Sequence, residues 1–397
     1  MSNTQTKNVP ELRFPGFEGE WEEKKLGDLG LFQKSYSFSR AKEGNGKTKH
    51  IHYGDIHSKF KTVLDSDDNI PNIIEKAVFE LIQKGDIVFA DASEDYSDLG
   101  KAVMIDFKPN SLISGLHTHL FRPLNNAISN FLIFYTKTLS YKKFIRQQGT
   151  GISVLGISKK SLLNLNVLIP RSELEQQKVG KFFSKLDRQI ELEEQKIELL
   201  QQQKKGYIQK IFSQELRFKD ENGDDYPEWE ETTIKEIAQI NTGKKDTKDA
   251  ITNGSYDFYV RSPIVYKINT FSYEGEAILT VGDGVGVGKV FHYVNGKFDY
   301  HQRVYKISDF KNYYGLLLFY YFSQNFLKET KKYSAKTSVD SVRKDMVANM
   351  KVPRPIYIEQ EKIGQFIKKV DNKIKIQKQV IELLKQRKKA LLQKMFI

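Results

Sequence analysis

A block running from Glu175 to Phe212 returns without a gap from Glu359 to Phe396, with about half its positions identical. This duplication constrains the fold more than any other feature of the chain. In both copies apolar residues recur at alternating steps of four and three. The first copy carries Val179, Phe183, Leu186, Ile190, Ile197, Leu200, Tyr207 and Ile211; the second carries Ile363, Ile367, Val370, Ile374, Ile381, Leu384, Leu391 and Met395. That spacing predicts two long helices with a coiled-coil seam. Each would be on the order of 55 Å long. Polar residues interrupt both seams at matching places, Glu193 with Gln377 and Lys204 with Lys388. Such interruptions cost stability and fix one register. Two related helices in one chain most simply pack on each other.

The repeat unit extends beyond the helix. Glu11-Leu12-Arg13-Phe14 followed by Trp21 reappears after the first helix as Glu215-Leu216-Arg217-Phe218 followed by Trp229. Each half then holds short strand-like segments. In the first, Lys49 to Ile56 reads as strand then turn, Lys84 to Ala90 and Gly100 to Ile105 as strands around the loop Asp91–Leu99, and His117 to Arg122 as a strand. In the second, Glu274 to Thr280, Gly288 to Phe291 and His301 to Lys306 correspond, with an unrelated loop between the first two. Aromatic-rich segments, Asn130 to Gln147 and Tyr314 to Thr330, read as one helix each. Pro170 and Pro355 end a strand and launch the long helices, and Ser172 with Glu175 forms a candidate capping box. The expected order is a globular domain over 1–170, a helix over 171–213, a second globular domain over 214–355 and a helix over 356–397. The globular parts have diverged far more than the helices.

Composition narrows the function. There is no cysteine, so disulfides and thiolate zinc sites are excluded. The amino terminus has no apolar signal-like stretch, and the longest apolar run, Tyr313 to Phe322, falls far short of the roughly 20 residues that span a bilayer. A cytoplasmic protein with no membrane partner is expected. The formal net charge of +13 fits a polyanion partner, nucleic acid first, and equally fits charge serving solubility alone.

This organisation resembles the specificity subunit of type I restriction–modification systems, and the resemblance covers nearly the whole chain. It rests on the acidic-Gln pair after the proline (Glu175-Gln176, Glu359-Gln360) and on the helix endings Lys204–Phe212 and Lys388–Phe396. It rests also on the Gly-Asp/Glu strand-loop-Gly-Lys phrase in each domain. The lead-in ELRFPGFEGEW is similar to that of the family's Gram-positive members, whereas the acidic loop Ala90–Gly100 departs from the pattern. The resemblance implies an α+β fold: two target-recognition domains separated by two long helices forming an antiparallel coiled coil, with an internal pseudo-two-fold duplication. It implies a non-catalytic subunit that reads a bipartite, asymmetric site in double-stranded DNA. Two adenine methyltransferase subunits and motor-nuclease subunits would supply the chemistry, with S-adenosylmethionine, ATP and Mg bound by those partners and no cofactor by this chain.

DNA contacts are expected from Lys49, His52, Tyr53, Ser93, Tyr96, Lys101, Thr150, Ser153, Lys159 and Lys160 in the first domain. In the second they are expected from Lys244, Lys245, Arg261, Asp283, Lys289, Arg303, Lys336, Thr337, Ser338, Arg343 and Lys344. Cations and hydroxyls grip phosphates, Lys or Arg reads guanine, and an acid accepts from cytosine N4. The residues Leu186, Ile190, Ile197, Leu200, Val370, Ile374, Ile381 and Leu384 are assigned to the coiled coil.

Other readings are weaker. Gly282 to Lys289 mimics a phosphate loop, but Asp283 stands where its first glycine belongs and Val290 replaces Ser or Thr, so ATP binding is rejected. His50 with His52, and His117 with His119, lack the carboxylates or thiols of a metal site; His301 is taken as the counterpart of His117. The acids Asp91, Glu94, Asp95 and Asp98 leave a metal-dependent nuclease open as an alternative. A coiled-coil scaffold that reads no DNA is another. No Asn-Pro dipeptide occurs, so the adenine methyltransferase signature is absent.

Overall fold

The computed structural model describes residues 8–333 and 341–397, apart from the side chain of Asn126. By contacts the chain forms two compact units: unit 1 is Met1–Glu194 with Gln379–Ile397, and unit 2 is Gln195–Lys378. Each unit therefore combines one globular part with a portion of each long helix. Those helices run Glu173–Phe212 and Tyr357–Met395. None of the helices among the described residues is long and apolar enough to cross a membrane.

In unit 1 a five-stranded sheet has the order Gly30–Phe32, Thr118–Pro123, Ile87–Ala90, Ala102–Ile105, Val63–Leu64, antiparallel but for its last pair. Its two central strands, Ile87–Ala90 and Ala102–Ile105, are buried throughout and read as continuous apolar runs for that reason. A three-stranded sheet sets Glu43–Ile51 between Asn72–Ile73 and Leu112–Ser114. In unit 2 a six-stranded sheet has the order Gln239–Thr242, Val304–Ser308, Tyr273–Val281, Phe291–Tyr300, Tyr256–Tyr259, Val265–Ile268. In both units a short strand after the lead-in pairs antiparallel with the strand entering the long helix: Glu22–Lys25 with Asn166–Ile169, and Glu230–Thr233 with Lys351–Arg354.

The strand over Lys49–Ile56 ends at Ile51, and Tyr53–Ser58 forms a short helix where a turn was expected, capped by His52 Nδ1, which accepts from Gly54 N at 3.1 Å. The segment Asn130–Gln147 is two helices rather than one, Asn126–Tyr135 and Leu139–Gln148. Thr136 Oγ1 donates to Ile133 O at 2.8 Å and Thr138 Oγ1 to Tyr135 O at 2.8 Å. The Thr138 hydroxyl then caps the next helix by accepting from Tyr141 N. These threonines offer the backbone a local alternative to helix continuation. Its counterpart in unit 2 has no such pair and runs unbroken over Gly315–Lys331.

The duplication is visible bond by bond. Glu175 is buried and accepts from Arg13 Nε at 2.7 Å, Arg13 Nη2 at 2.8 Å and Trp21 Nε1 at 3.3 Å. Glu359 takes the same donors from Arg217, at 3.3 and 3.0 Å, and from Trp229, at 3.0 Å. The neighbouring glutamines donate to the strand ends, Gln176 Nε2 to Pro170 O and Gln360 Nε2 to Pro355 O, both at 2.7 Å. Half of the expected capping box forms: Ser172 Oγ accepts from Glu175 N at 3.4 Å, but the Glu175 carboxylate is occupied by Arg13 and Trp21.

Within each unit the two helices run antiparallel. In unit 1 Asp187 pairs with Lys388 and Glu194 with Lys385; in unit 2 Lys204 pairs with Asp371 at 2.5 Å, and the Tyr207 ring meets Phe366 at 5.2 Å. As one residue number rises its partner's falls. Leu186, Ile190, Ile374 and Ile381 are buried, while Ile197, Leu200, Val370 and Leu384 are half-buried. The seam lysines Lys204 and Lys388 thus meet aspartates at matching repeat positions. Exchanging the charges of Asp187 and Lys388 singly should each cost stability, and the double exchange should recover about 1 kcal/mol of coupling, as measured by a double-mutant cycle.

Candidate nucleic-acid interface

In unit 2 the ends of several strands converge on one loop. The strand Tyr273–Val281, buried over its second half, runs into the loop Gly282–Gly288. Gly282 N donates to Arg303 O at 2.8 Å, and Gly282 O accepts from Val342 N at 2.7 Å. Asp283 lies at the centre, pairing with Arg261 Nη1 at 3.4 Å and Arg303 Nε at 3.6 Å, and it bridges to Ser341. Arg303 sits at the tip of a turn in which Val304 N donates to His301 O at 2.9 Å. His301 is buried, and its Nδ1 accepts from Arg303 N at 2.9 Å. Gln302 bonds Asp246 at 3.0 Å and, through its backbone, Lys245 O at 2.8 Å. Arg343, Lys344, Lys244 and Lys289 are exposed.

Unit 1 repeats this backbone with other side chains. Asp91 N donates to His117 O at 3.0 Å, and Asp91 O accepts from Ile157 N at 2.9 Å. The short strand Ala92–Ser93 pairs with Leu155–Gly156 where Asp283 bridges Ser341 in unit 2. The pairing of Thr118 with Ala90 corresponds to that of Val304 with Val281. The counterpart of His117 is therefore Arg303, not His301 as the sequence comparison has it; the like spelling of His117-Thr118-His119 and His301-Gln302-Arg303 sets the apparent match two residues off the strand register. The Asp91 carboxylate meets His117 Nδ1 at 3.2 Å and His119 Nδ1 at 3.5 Å, and His119 Nε2 donates to Ile157 O at 3.0 Å. Tyr53 packs edge-on to His117, with ring centroids 5.3 Å apart.

The other expected contact residues divide by what already holds them. Thr150, Ser153, Lys160 and Tyr96 are exposed around the Asp91 loop, Thr150 bridging to Gly156. Lys159 Nζ donates to Gln33 O at 2.9 Å. Lys101 donates to His57 O at 2.6 Å and Lys49 pairs with Asp67 at 3.1 Å. Ser93 is buried and accepts from Asp95 N at 3.1 Å, and His52 is buried as a helix cap. Lys336, Thr337 and Ser338 lie outside the described residues. Sequence reasoning singled out His301 but not its role beneath Arg303, and it missed the supporting partners Gln302 and Asp246, whose only sequence signal is their polar type beside a strand end. Among the described residues, no group of three or more His, Asp or Glu could hold a metal ion.

Burial pushes His50, His52, His57 and His119 of unit 1 below the usual imidazole range, as it does His292 and His301 of unit 2. The unfolded chain would protonate them near pH 6.5 while the folded chain resists. Their stabilisation is complete above that pH and is lost as pH falls towards the folded values. Hydrogen exchange between about pH 7.5 and 5.5, corrected for intrinsic rates, should show the larger loss of protection in unit 1.

A model of the type I restriction modification DNA specificity domain matches residues 18–202 and again residues 226–386. The chain is 24% identical over 371 residues to a putative type I restriction enzyme MjaX specificity subunit of Methanocaldococcus jannaschii, covering 84% of each chain. It is 25% identical over 321 residues to the MjaVIII specificity subunit of the same organism, covering 68% of this chain and 69% of that one. Its fold is similar to the crystal structure of a type I restriction–modification S subunit from M. genitalium, with a TM-score of 0.64 at 16% identity over 98% of this chain and 99% of that one.

Proposed function

The chain belongs to the type I restriction–modification DNA specificity family, and from that premise we propose how its parts divide the work. It is a specificity subunit with two recognition domains, and each domain reads one half of a split, asymmetric target in double-stranded DNA. The observation that carries this reading is the shared strand-end loop. One backbone arrangement carries Asp91 and His117 in unit 1 where Gly282 and Arg303 stand in unit 2, and in unit 2 the acid is the next residue, Asp283, paired with Arg303 and Arg261. Equal scaffolds with unequal side chains suit two half-sites of different sequence.

The paired helices act as the spacer that sets the gap between half-sites, and their outer faces dock partners. Apolar residues stay exposed at matching repeat positions on the two helices: Leu174 with Ile358, Leu192 with Ile376, and Leu199 with Leu383. Exposed apolar residues at repeated positions favour a partner present in two copies, which we identify as the adenine methyltransferase subunit. Motor-nuclease subunits join that complex. S-adenosylmethionine, ATP and Mg belong to those partners, and this chain works in the cytoplasm without catalysing a step itself.

Binding of the assembled complex to its target should weaken steeply as salt rises, because phosphate contacts release counterions. Titration of a labelled target duplex at increasing salt tests this. A nearly flat response would contradict a DNA-reading role, and metal-dependent cleavage by the chain alone, abolished by Asp91→Ala, would favour a nuclease instead.

A further inference from the structure

Resting on the DNA-reading role above, we propose that Arg261, Asp283 and Arg303 form a base-reading cluster and that unit 2 reads a G·C pair with it. Two guanidinium groups share one carboxylate, so the cluster keeps a positive excess. Arg303 uses Nε and Arg261 uses Nη1 towards Asp283, at 3.6 and 3.4 Å, which leaves further N–H groups of each fork available. Their side chains are 64% and 51% exposed against 26% for Asp283, so the cations reach outward and the acid braces them from behind.

The backbone beneath is fixed before any DNA arrives. His301 holds Arg303 N, Gly282 N holds Arg303 O, and Val342 N holds Gly282 O. A carboxylate among the cations argues against a pure phosphate clamp, because it repels phosphate oxygens. Base edges offer both acceptors and donors. Guanine O6 and N7 accept a bidentate Arg, and cytosine N4 donates to a carboxylate. In unit 1 the matching backbone position carries His117 against Asp91, so this reading belongs to unit 2 alone.

The test uses the chain assembled with its methyltransferase subunits and duplex libraries randomised in one half-site at a time, at fixed salt. The wild-type complex should select guanine at a position in one half. Arg303→Ala should reduce that preference by about 5- to 150-fold and leave the other half unchanged. Arg303→Lys should restore it only in part, because an ammonium can donate to guanine O6 and N7 but lacks the planar fork that also pairs with Asp283. Lys289→Ala, outside the cluster, should weaken all sequences alike. If Arg303→Ala and Arg261→Ala also weaken all sequences alike, with base preference intact, the cluster is a phosphate contact and the proposal is overturned. A wild-type complex with no preference in either half overturns the DNA-reading role itself, a separate result.

Discussion

Replacing Phe396 by alanine is expected to destabilise unit 1 by about 3–5 kcal/mol. This residue lies one position from the chain's end, yet it is 5% exposed. Its ring meets Phe131 at 5.0 Å, Phe183 at 5.8 Å, and Trp21 and Tyr135 at 6.4 Å each. Leu392 and Met395 join the same core. Alanine would remove the shared neighbour of all four rings and leave a cavity that well-packed aromatics cannot close. The matching residue in unit 2, Phe212, is only partly buried and meets Tyr321 at 5.0 Å. Phe212→Ala should cost less, about 2 kcal/mol. Denaturant unfolding followed by unit-resolved hydrogen exchange would measure both. A loss for Phe396→Ala within about 0.5 kcal/mol, the usual range for surface substitutions, would show that Phe396 is not a core element of unit 1.

Glu175→Gln should cost about 3 kcal/mol. The carboxylate is 1% exposed and accepts three hydrogen bonds from Arg13 and Trp21. The pair raises the pKa of Arg13, chiefly through its hydrogen bond to Glu175. An amide keeps the shape but brings a donor against donors and leaves a partly buried guanidinium without its counter-charge. Glu359→Gln should act the same way on unit 2, where Arg217 and Trp229 take the corresponding places. Replacing Arg13 and Glu175 together with methionine should recover part of the loss, because no buried charge is then stranded. Unfolding free energies of the single and double variants decide this. A Glu175→Gln cost within 0.5 kcal/mol, the usual range for surface substitutions, would mean that the clamp does not hold the lead-in to the helix.

Much of this architecture could be read from the chain because it is written twice. The seam follows from local periodicity, and Lys204 with Lys388 already marked a fixed register. Their aspartate partners did not declare themselves, since Asp187 and Asp371 become neighbours only when the helices pair antiparallel. The lead-in Arg-x-x-x…Trp was visible as a repeat, but its role was not, because the carboxylate it grips lies 162 residues away from Arg13. The break at Thr136–Thr138 was hidden by apolar and aromatic residues that continue on both sides of it, from Phe131 to Tyr135 and from Tyr141 to Ile145. At the candidate interface the residue types were legible and the grouping was not. Which arginine faces which acid depends on strand register, and the like spelling around His117 and His301 hid a register that sets His117 against Arg303.

The most direct test of the central claim is a methylome. The chain is expressed with its neighbouring methyltransferase subunit in a host lacking adenine methylation, and the DNA is sequenced with modification-sensitive reads. Two recognition domains reading two half-sites predict methyladenine in one split motif with a fixed gap, and exchange of residues 1–170 for another such domain should change only one half of it. Absence of methylation, with the complex soluble and the methyltransferase active beside another specificity chain, would contradict the account.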